Sequence, residues 1–259
     1  MAAPDPAFVQ RGLPPGVPPL ALTGERTLPD VPAESYFFRR HEAVYDWIAP
    51  RVAGRRVVDL ACGEGYGADI LARAGAASVL GIDAEEEVVA HARARYGREG
   101  VTFTTGDVTT WEGPCEAITF LQTIEHIEDP EALLRRCREL VGPGGLVVVS
   151  TPNVLTLAPP GAEKSHNPFH VREFRPEAFE ALCRSAFADV EVHGLFHARK
   201  LALHAFALEH LRWDDVHRRL GVTKAFYDRF TPAIAARDFA LRTDRDLAGA
   251  LDLVAVCRA

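Results

Sequence analysis

The chain has 259 residues, of which 47% are hydrophobic and 25% are charged, a composition typical of globular proteins. Its formal net charge is −7 and its basic residues form no run longer than a pair, which argues against binding to a nucleic-acid backbone. The five cysteines are scattered without CxxC spacing, which favours a reducing compartment over a disulfide framework or a zinc site. No signal peptide and no membrane-spanning run of about 18 apolar residues is visible, so we expect a cytosolic protein without integral membrane contact.

The sequence begins with a proline-rich segment. Residues 1–32 hold eight of the eighteen prolines. Because proline lacks an amide donor and the segment has little periodicity, we predict an irregular, partly disordered arm. The elements that follow the arm are expected to form one domain over residues 33–259. Its first element is predicted to be a helix over 33–49, ended by Pro50, because apolar and aromatic side chains recur there at helical spacing.

Short apolar segments alternate with amphipathic segments from Arg56 onwards. The apolar segments are rich in β-branched residues and apolar on both faces, as the strands of a covered parallel sheet are. They lie at 57–61, 78–83, 101–104, 117–121 and 146–150. Helices are predicted between them, near 66–74, 85–97 and 130–140. This alternation predicts right-handed βαβ units, and hence a parallel sheet with helices on both faces.

The rest of the chain adds a helix near 176–186 and two strands, near 189–196 and 251–259. Between these last two strands lie about fifty residues of helix-forming sequence (199–248), far more than a hairpin needs. We therefore predict a helical insertion before the last strand. The predicted fold class is α/β, a doubly wound, seven-stranded, mostly parallel sheet of the Rossmann-like type, with an N-terminal helix.

Three consecutive predicted strands end in glycine or aspartate. The first runs into a turn with glycines at 63, 65 and 67, which allows a tight bend and a close ligand approach. The second ends in Asp83, twenty residues after Gly63, a spacing that lets a carboxylate accept the hydroxyl groups of a ribose. The third ends in Gly106 and Asp107. Because parallel strands bind ligands at their carboxyl ends, we expect these groups at one edge of the sheet.

The segments Val58–Gly67, Gly81–Asp83 and Gly106–Asp107 resemble motifs I, II and III of class I S-adenosylmethionine-dependent methyltransferases. A nicotinamide dehydrogenase is disfavoured, because the first turn lacks the third glycine of a GxGxxG dinucleotide motif. The resemblance implies that residues 55–151 form the cofactor-binding half and that the methyl donor is S-adenosylmethionine.

The resemblance also implies a role for each motif. The turn from Gly63 to Gly65 would lie against the methionine part of the cofactor, Asp83 would hold the ribose, and Asp107 would meet the adenine amino group. One departure is Ala61, where the family usually has glycine, so a slightly altered turn is expected. The predicted cofactor-binding residues are Asp59, Ala61, Gly63, Gly65, Asp83, Ala84, Asp107, Val108, Gln122 and Arg40.

The fourth strand leads into Glu125 and His126, at the catalytic edge of such enzymes. The Glu-His pair resembles that of small-molecule O-methyltransferases, including the ubiquinone-biosynthetic type, and the Asn/Asp-Pro-Pro-aromatic signature of amino-methylating nucleic-acid enzymes is absent. We predict His126 as the base that takes the acceptor's proton, with Glu125 orienting it or binding an acceptor hydroxyl. A purely structural His126 is the alternative. A divalent metal bridged by Glu125 stays open, but no ligand set is evident, and no metal residue is predicted.

Polar residues after the fifth strand are the candidates for acceptor binding. They are Asn153, His170 and Arg172. Each is expected on the ligand edge of the sheet, and each has a structural loop role as its alternative.

A second resemblance covers most of the chain from about residue 20. It rests on the segments Leu22–Pro29, Tyr36–His41, Asn167–His170, Gly194–His197 and Asp244–Leu247. These are similar to an actinobacterial group whose mycobacterial member is associated with the synthesis of 6-O-methylglucose lipopolysaccharide. The resemblance implies a saccharide hydroxyl as acceptor, and a helix carrying Arg40 that folds over the cofactor or, alternatively, only packs. A quinone or phenol acceptor, a small-molecule amine acceptor and a cofactor-binding protein without activity remain open.

Overall fold

The computed structural model describes residues 10–24, 26–159 and 161–259. The first nine residues of the predicted arm therefore lie outside the described part of the chain. The fold separates into two compact units. One consists of the residues up to Val44 together with His197–Ala240, and the other of Tyr45–Phe196 together with Leu241–Ala259.

A mixed sheet of eight strands organises the fold. In chain order they are β1 (Arg56–Leu60), β2 (Ser78–Asp83), β3 (Val101–Thr105), β4 (Ala117–Leu121), β5 (Leu146–Pro152), β6 (Asp189–His197), β7 (Phe239–Arg242) and β8 (Asp252–Arg258). Their order across the sheet is β3-β2-β1-β4-β5-β8-β6-β7. Strands β1 to β5 are parallel, whereas β8 runs antiparallel to both β5 and β6.

Nine helices accompany these strands in the described residues. They are α1 (Ser35–Ile48), α2 (Tyr66–Arg73), α3 (Glu86–Tyr96), α4 (Pro130–Val141), α5 (Val154–Leu157), α6 (Pro176–Ala186), α7 (Arg199–Leu211), α8 (Trp213–Leu220) and α9 (Thr223–Phe230). Helix α4 shows why the sequence starts and stops a helix where it does. The Asp129 side chain accepts a hydrogen bond from the Ala132 amide at 2.8 Å, Pro130 occupies the first turn, and Gly142 ends the helix with a φ of 63°.

The core of the larger unit lies on both faces of the sheet. All five residues of β4 are buried, as are six of the seven in β8. Phe174, Phe179 and Phe187 pack against the same core from the α6 side. Burial on both faces explains why these strands read as continuous apolar runs rather than as alternating ones.

The predicted Rossmann-like α/β fold is confirmed, but the predicted number of seven strands is wrong. The additional strand is β7, which lies inside the segment 199–248 that was expected to be wholly helical. Helices fill that segment only as far as α9. The four residues of β7, Phe-Ala-Leu-Arg, are too few to show an alternating pattern, and alanine, leucine and arginine are themselves good helix formers.

The smaller unit contains buried apolar side chains. Leu28 and Val31 of the proline-rich segment are buried, although residues 10–24 and 26–31 form neither helix nor strand. The Tyr36 hydroxyl lies 2.8 Å from His197 Nε2, and Phe239 packs edge-on against the Tyr36 ring. None of the described helices is long and apolar enough to span a membrane. The predicted limits of the arm and of the insertion stay predictions.

Candidate active site

The carboxyl ends of β1, β2 and β3 form one continuous rim. Leu60 pairs with Ile82 and Asp83 pairs with Thr105, so the three strands end side by side. Beyond the strands, the Cys62 amide donates to the Ile82 carbonyl at 2.9 Å, and the Gly106 amide donates to the Asp83 carbonyl at 2.9 Å. The three motifs found in the sequence therefore meet at one edge of the sheet.

The turn after β1 follows left-handed backbone conformations. Ala61, Gly63 and Gly65 have φ values of 53°, 54° and 98°. A Cβ atom added to Gly63 would meet no atom within 4 Å, whereas one added to Gly65 would lie 2.8 Å from the Ala92 Cβ. Gly65 thus allows the turn to pack on α3, and Gly63 leaves open space at the rim into which a ligand can fit.

Asp83 braces this turn and faces the rim. Its Oδ2 accepts a hydrogen bond from the Gly63 amide at 2.9 Å, and its Oδ1 accepts one from the Glu85 amide at 3.1 Å. A carboxylate has about four acceptor sites, so each oxygen keeps a second lone pair for a ligand hydroxyl. Asp83 is half-buried and the adjacent Ala84 is exposed. This geometry fits a carboxylate that binds a ribose.

Asp107 and Gln122 extend the rim on either side. Hydrogen bonds from the Thr109 hydroxyl and amide, at 2.7 and 2.8 Å, lower the pKa of the exposed Asp107 carboxyl and keep it ionised. Val108 beside it is half-buried. Gln122 has a left-handed φ of 51°, and its Nε2 donates to Ser150 Oγ at 3.1 Å. The three predicted residues Asp107, Val108 and Gln122 are thus at least partly accessible at the strand ends.

Asp59, by contrast, lies in the interior. It is completely buried, and its Oδ1 accepts hydrogen bonds from the Tyr45 hydroxyl at 3.1 Å and from the Thr119 hydroxyl at 2.5 Å. Burial raises the pKa of Asp59 to about 7, even though both hydrogen bonds oppose the shift. The structure therefore makes Asp59 a brace beneath the turn rather than a group on its open side.

A second buried carboxylate, Glu64, was not found by sequence reasoning. It contacts His91 Nε2 at 2.9 Å, Arg95 Nη1 at 2.6 Å and the Tyr96 hydroxyl at 2.8 Å, all on α3. This cluster fixes the glycine turn onto α3. The only signal in the sequence is a charged residue between two glycines of the turn, which reads equally well as a solvent-exposed side chain.

Glu125 and His126 lie in a single 3₁₀ turn after β4. Glu125 is only 2% exposed, its Oε2 accepts a hydrogen bond from the Thr151 hydroxyl at 3.1 Å, and burial raises the pKa of Glu125 to about 8. The half-buried His126 has its Nδ1 2.9 Å from the Phe169 carbonyl oxygen. A carbonyl can only accept, so Nδ1 carries the proton and a neutral His126 has its lone pair on Nε2.

The loop before α6 brings His170 against this turn. The His170 ring lies 5.1 Å from the His126 ring, centre to centre, and its Nδ1 donates to Glu173 Oε1 at 2.7 Å. The Val171 and Arg172 amides donate to the Glu125 backbone carbonyl at 2.9 and 3.0 Å. Candidate ligand atoms of Glu125, His126 and His170 all lie within 4.8 Å of one another.

The other predicted site residues do not join this cluster. The Arg172 guanidinium pairs with Glu131 on α4 at 3.0 Å. Asn153 is fully buried and donates from its Nδ2 to the carbonyls of Leu247, Ala248 and Ala250, so it ties the end of β5 to the segment before β8 and offers no surface to an acceptor. Arg40 lies on α1 in the smaller unit, and its contact with a cofactor stays a prediction.

Comparison with known proteins finds similarity to methyltransferases. A family model described as a methyltransferase domain matches residues 35–203. A protein of Mycolicibacterium smegmatis named as a probable S-adenosylmethionine-dependent methyltransferase is 39% identical over 246 residues, which cover 92% of this chain and 94% of that protein. A protein of the same description from Mycobacterium tuberculosis is 41% identical over 184 residues, but the match spans only 66% of its length and 70% of this chain.

More distant similarities extend this picture. A ubiquinone biosynthesis O-methyltransferase of Pseudomonas aeruginosa is 37% identical over 116 residues, covering 42% of this chain and half of that protein. The crystal structure of an S-adenosylmethionine-dependent methyltransferase from Mesorhizobium loti is similar with a TM-score of 0.54 and 21% identity, covering 83% of this chain and 98% of that one. At this identity the structural likeness supports the fold alone.

Proposed function

Since the chain belongs to the family of S-adenosylmethionine-dependent methyltransferases, we propose that it methylates a hydroxyl oxygen of a saccharide or similar small acceptor. The methyl donor of the family is S-adenosylmethionine. When bound, it supplies a methyl group on a positively charged sulfur, and transfer to an acceptor oxygen breaks the carbon–sulfur bond with the electron pair staying on sulfur. The protein therefore has to align the two partners and remove one proton.

The rim residues fit the donor. The open space at Gly63 admits a ligand against the backbone, and the remaining lone pairs of Asp83 suit two ribose hydroxyls. Asp107 has its Oδ1 occupied by Thr109, and its Oδ2 has no hydrogen-bond partner among the described residues. That free oxygen suits an adenine amino group. This is the chemistry of a nucleoside, not of a diphosphate, because the rim carries acidic rather than basic side chains.

The observation that carries the acceptor proposal is the hydrogen bond from His126 Nδ1 to the Phe169 carbonyl. It holds the ring in one orientation and puts the lone pair of the neutral ring on Nε2 at the catalytic edge, where Nε2 takes the proton of the attacking hydroxyl. A hydroxyl acceptor needs such a base during transfer, whereas a neutral amine can attack without one. Glu125 lies in the same turn but is only 2% exposed, so of the two roles expected for it we propose that it helps to hold the turn that carries His126 rather than binding an acceptor hydroxyl.

The experiment uses radiolabelled S-adenosylmethionine with two acceptor panels, one of glucose-based oligosaccharides and one of small amines. We expect label in the first panel only. Replacement of His126 by alanine is expected to lower turnover by about 10² to 10⁴, the usual contribution of a general base, with little change in S-adenosylhomocysteine affinity. The matched control is His166→Ala, an exposed histidine of the loop that carries His170. Label in the amine panel alone, or unchanged turnover of His126→Ala, would refute the proposal.

A quinone or other lipid-like phenol is a second candidate acceptor. It is favoured by exposed apolar side chains on α7 and α8, where Leu203, Leu211 and Leu220 are 70%, 62% and 67% exposed. The similarity to a ubiquinone biosynthesis O-methyltransferase points the same way. Co-sedimentation with neutral liposomes separates the two candidates, because only a lipid-directed enzyme needs to bind the vesicles. Cofactor binding with no transfer to any acceptor would indicate a protein without enzymatic activity.

The proposed location is the cytosol, and nucleic acid is not among the proposed acceptors. All five cysteines are free and buried, as expected in a reducing compartment. The net charge of −7 and the acidic rim disfavour a polyanionic acceptor.

A further inference from the structure

The cluster of Glu125, His126 and His170 has the composition of a metal site. The three residues offer one carboxylate oxygen and two imidazole nitrogens, and these atoms lie within 4.8 Å of one another. Ligand atoms that share a tetrahedral zinc ion at about 2.1 Å are roughly 3.4 Å apart. Side-chain rotations that move the atoms by about an ångström would therefore complete such a set.

Both histidines are also held in the way that metal-binding histidines are. A histidine that ligates a metal through one nitrogen usually donates its other N–H to a carbonyl or a carboxylate, which fixes the ring and raises its basicity. Here His126 Nδ1 donates to the Phe169 carbonyl at 2.9 Å and His170 Nδ1 donates to Glu173 at 2.7 Å. In both rings this leaves Nε2 as the nitrogen with the lone pair.

The buried Glu125 carboxyl lacks a cationic partner. In the described part of the chain it forms no ion pair with lysine or arginine, and the Thr151 hydroxyl donates to its Oε2 at 3.1 Å. Buried carboxylates in proteins are normally paired with a cation or coordinate a metal. A divalent ion at this position would pair with the Glu125 carboxylate.

We propose that Glu125, His126 and His170 bind a divalent transition-metal ion through one carboxylate oxygen and the two Nε2 atoms. Imidazole nitrogens favour Zn²⁺ and similar first-row ions over Mg²⁺, which prefers oxygen ligands. His170 Nε2 at present accepts a hydrogen bond from Asn167 Nδ2 at 2.9 Å, so binding exchanges that bond for the metal. Three protein ligands leave a coordination position open, as in catalytic sites.

The role of the ion rests on the proposed function. An acceptor hydroxyl in the open position would lose its proton to water more readily, because a divalent cation stabilises the negative oxygen. The Nε2 lone pair of His126 cannot bind the ion and take a proton at the same time, so in the metal-bound protein His126 would be a ligand and water would take the acceptor's proton. The bonds made and broken in methyl transfer stay the same, and only the route of the proton changes.

Metal binding is tested directly on the full-length protein, without reference to activity. The protein is treated with a chelator, dialysed, and titrated by calorimetry with ZnCl₂, MnCl₂ and MgCl₂ separately. We expect one zinc ion per chain, bound more tightly than magnesium by at least tenfold. Glu125→Gln and His170→Ala are expected to weaken zinc binding by more than the roughly 10- to 100-fold that loss of a ligand's outer hydrogen-bond partner causes, and His166→Ala to bind as the wild type does. Thermal melting of each metal-free variant shows whether it is folded, and Glu125→Gln keeps the size of the side chain in case His170→Ala does not fold.

Zinc binding that is absent in the wild type, or equal in all variants, would overturn the metal site. Methyl transfer assayed with chelated protein separates this result from a failure of the proposed function. Full hydroxyl methylation by chelated protein would refute the role of the ion while leaving the methyltransferase assignment intact. Tight zinc binding without transfer to any hydroxyl acceptor would refute the proposed acceptor and leave the metal site standing.

Discussion

Asp59 carries the buried carboxyl group at the end of β1, and we expect its replacement by asparagine to change how stability depends on pH. Burial raises the pKa of this carboxyl from its usual value of 3.8 to about 7. The folded protein therefore keeps a proton on Asp59 at pH values where the unfolded chain has lost it. As the pH rises from about 4 to about 7, the unfolded state binds fewer protons than the folded state, so stability falls.

The size of the effect follows from the shift. A rise of about three pKa units, at 1.36 kcal/mol each, means that the free energy of unfolding falls by about 4 kcal/mol from pH values well below 3.8 to pH values well above 7. Between about pH 5 and about pH 8.5, the carboxyl is expected to cost the wild type about 3 kcal/mol of stability. Asparagine does not ionise, and its Nδ2 replaces the Oδ2 atom that accepts a hydrogen bond from the Tyr45 hydroxyl at 3.2 Å, so that bond is lost at a cost of about 1–3 kcal/mol. At about pH 5, Asp59→Asn is therefore expected to have a lower free energy of unfolding than the wild type. At about pH 8.5, where the wild type has lost about 3 kcal/mol, the two free energies are expected to be similar or that of the variant to be higher.

Urea unfolding at the two pH values, followed by the fluorescence of the three tryptophans, measures the free energies. Contributions from other groups cancel in the difference between variant and wild type. The control is Asp189→Asn, because Asp189 is exposed and forms a surface ion pair with Arg258. A gap between Asp59→Asn and the wild type that stays the same at both pH values would refute the reasoning.

Four further substitutions separate packing from ligand binding. Ala61→Gly removes the strain of an alanine in the left-handed conformation and is expected to raise the free energy of unfolding by up to about 1 kcal/mol. A variant that unfolds at a lower urea concentration than the wild type would contradict the strain argument. Gly65→Ala pushes a methyl group against Ala92 and is expected to cost about 2–4 kcal/mol, which a fall in Tm measures. Gly63→Ala meets no neighbour but places an alanine at a φ of 54°, which costs about 1–2 kcal/mol, and its methyl group is expected to weaken S-adenosylhomocysteine binding as well; a variant that only melts earlier and binds as the wild type does would remove Gly63 from the site. Asn153→Ala removes a buried donor that three carbonyls share, although the Ala250 carbonyl keeps the Thr156 hydroxyl and the Leu247 carbonyl keeps a backbone amide. It is expected to cost about 1–3 kcal/mol with an unchanged acceptor KM, and a raised KM in a fully stable variant would restore Asn153 to the acceptor site.

Sequence patterns predicted most of the sheet because each strand buried on both faces is a continuous apolar run. The strand β4, for example, was expected at 117–121 and has those bounds. The missed strand β7 has four residues, two of them only half-buried, and it follows more than thirty residues of helical sequence. Short strands at the edge of a sheet owe their conformation to pairing with a neighbour, which no local pattern records.

The site was predictable only where the backbone topology determines it. Parallel neighbouring strands bring Gly63, Asp83 and Asp107 to one rim, so spacing alone was sufficient to expect them there. His170 reaches Glu125 and His126 through a loop 44 residues further along the chain, and periodicity does not reveal such a contact. Glu64 was missed for the same reason, because it lies in the turn after β1 whereas its partners His91 and Arg95 lie on α3.

The central claim is that the rim formed by β1, β2 and β3 binds a nucleoside with a sulfur-bearing side chain. Calorimetric titration of the wild type and Asp83→Ala with S-adenosylhomocysteine tests it most directly, with Asp189→Ala as a surface control and thermal melting to confirm that each variant is folded. We expect the wild type and the control to bind alike, and Asp83→Ala to bind about 10- to 100-fold more weakly, because it loses hydrogen bonds to a charged group. Equal affinity of all three proteins, or no binding by the wild type, would contradict the account.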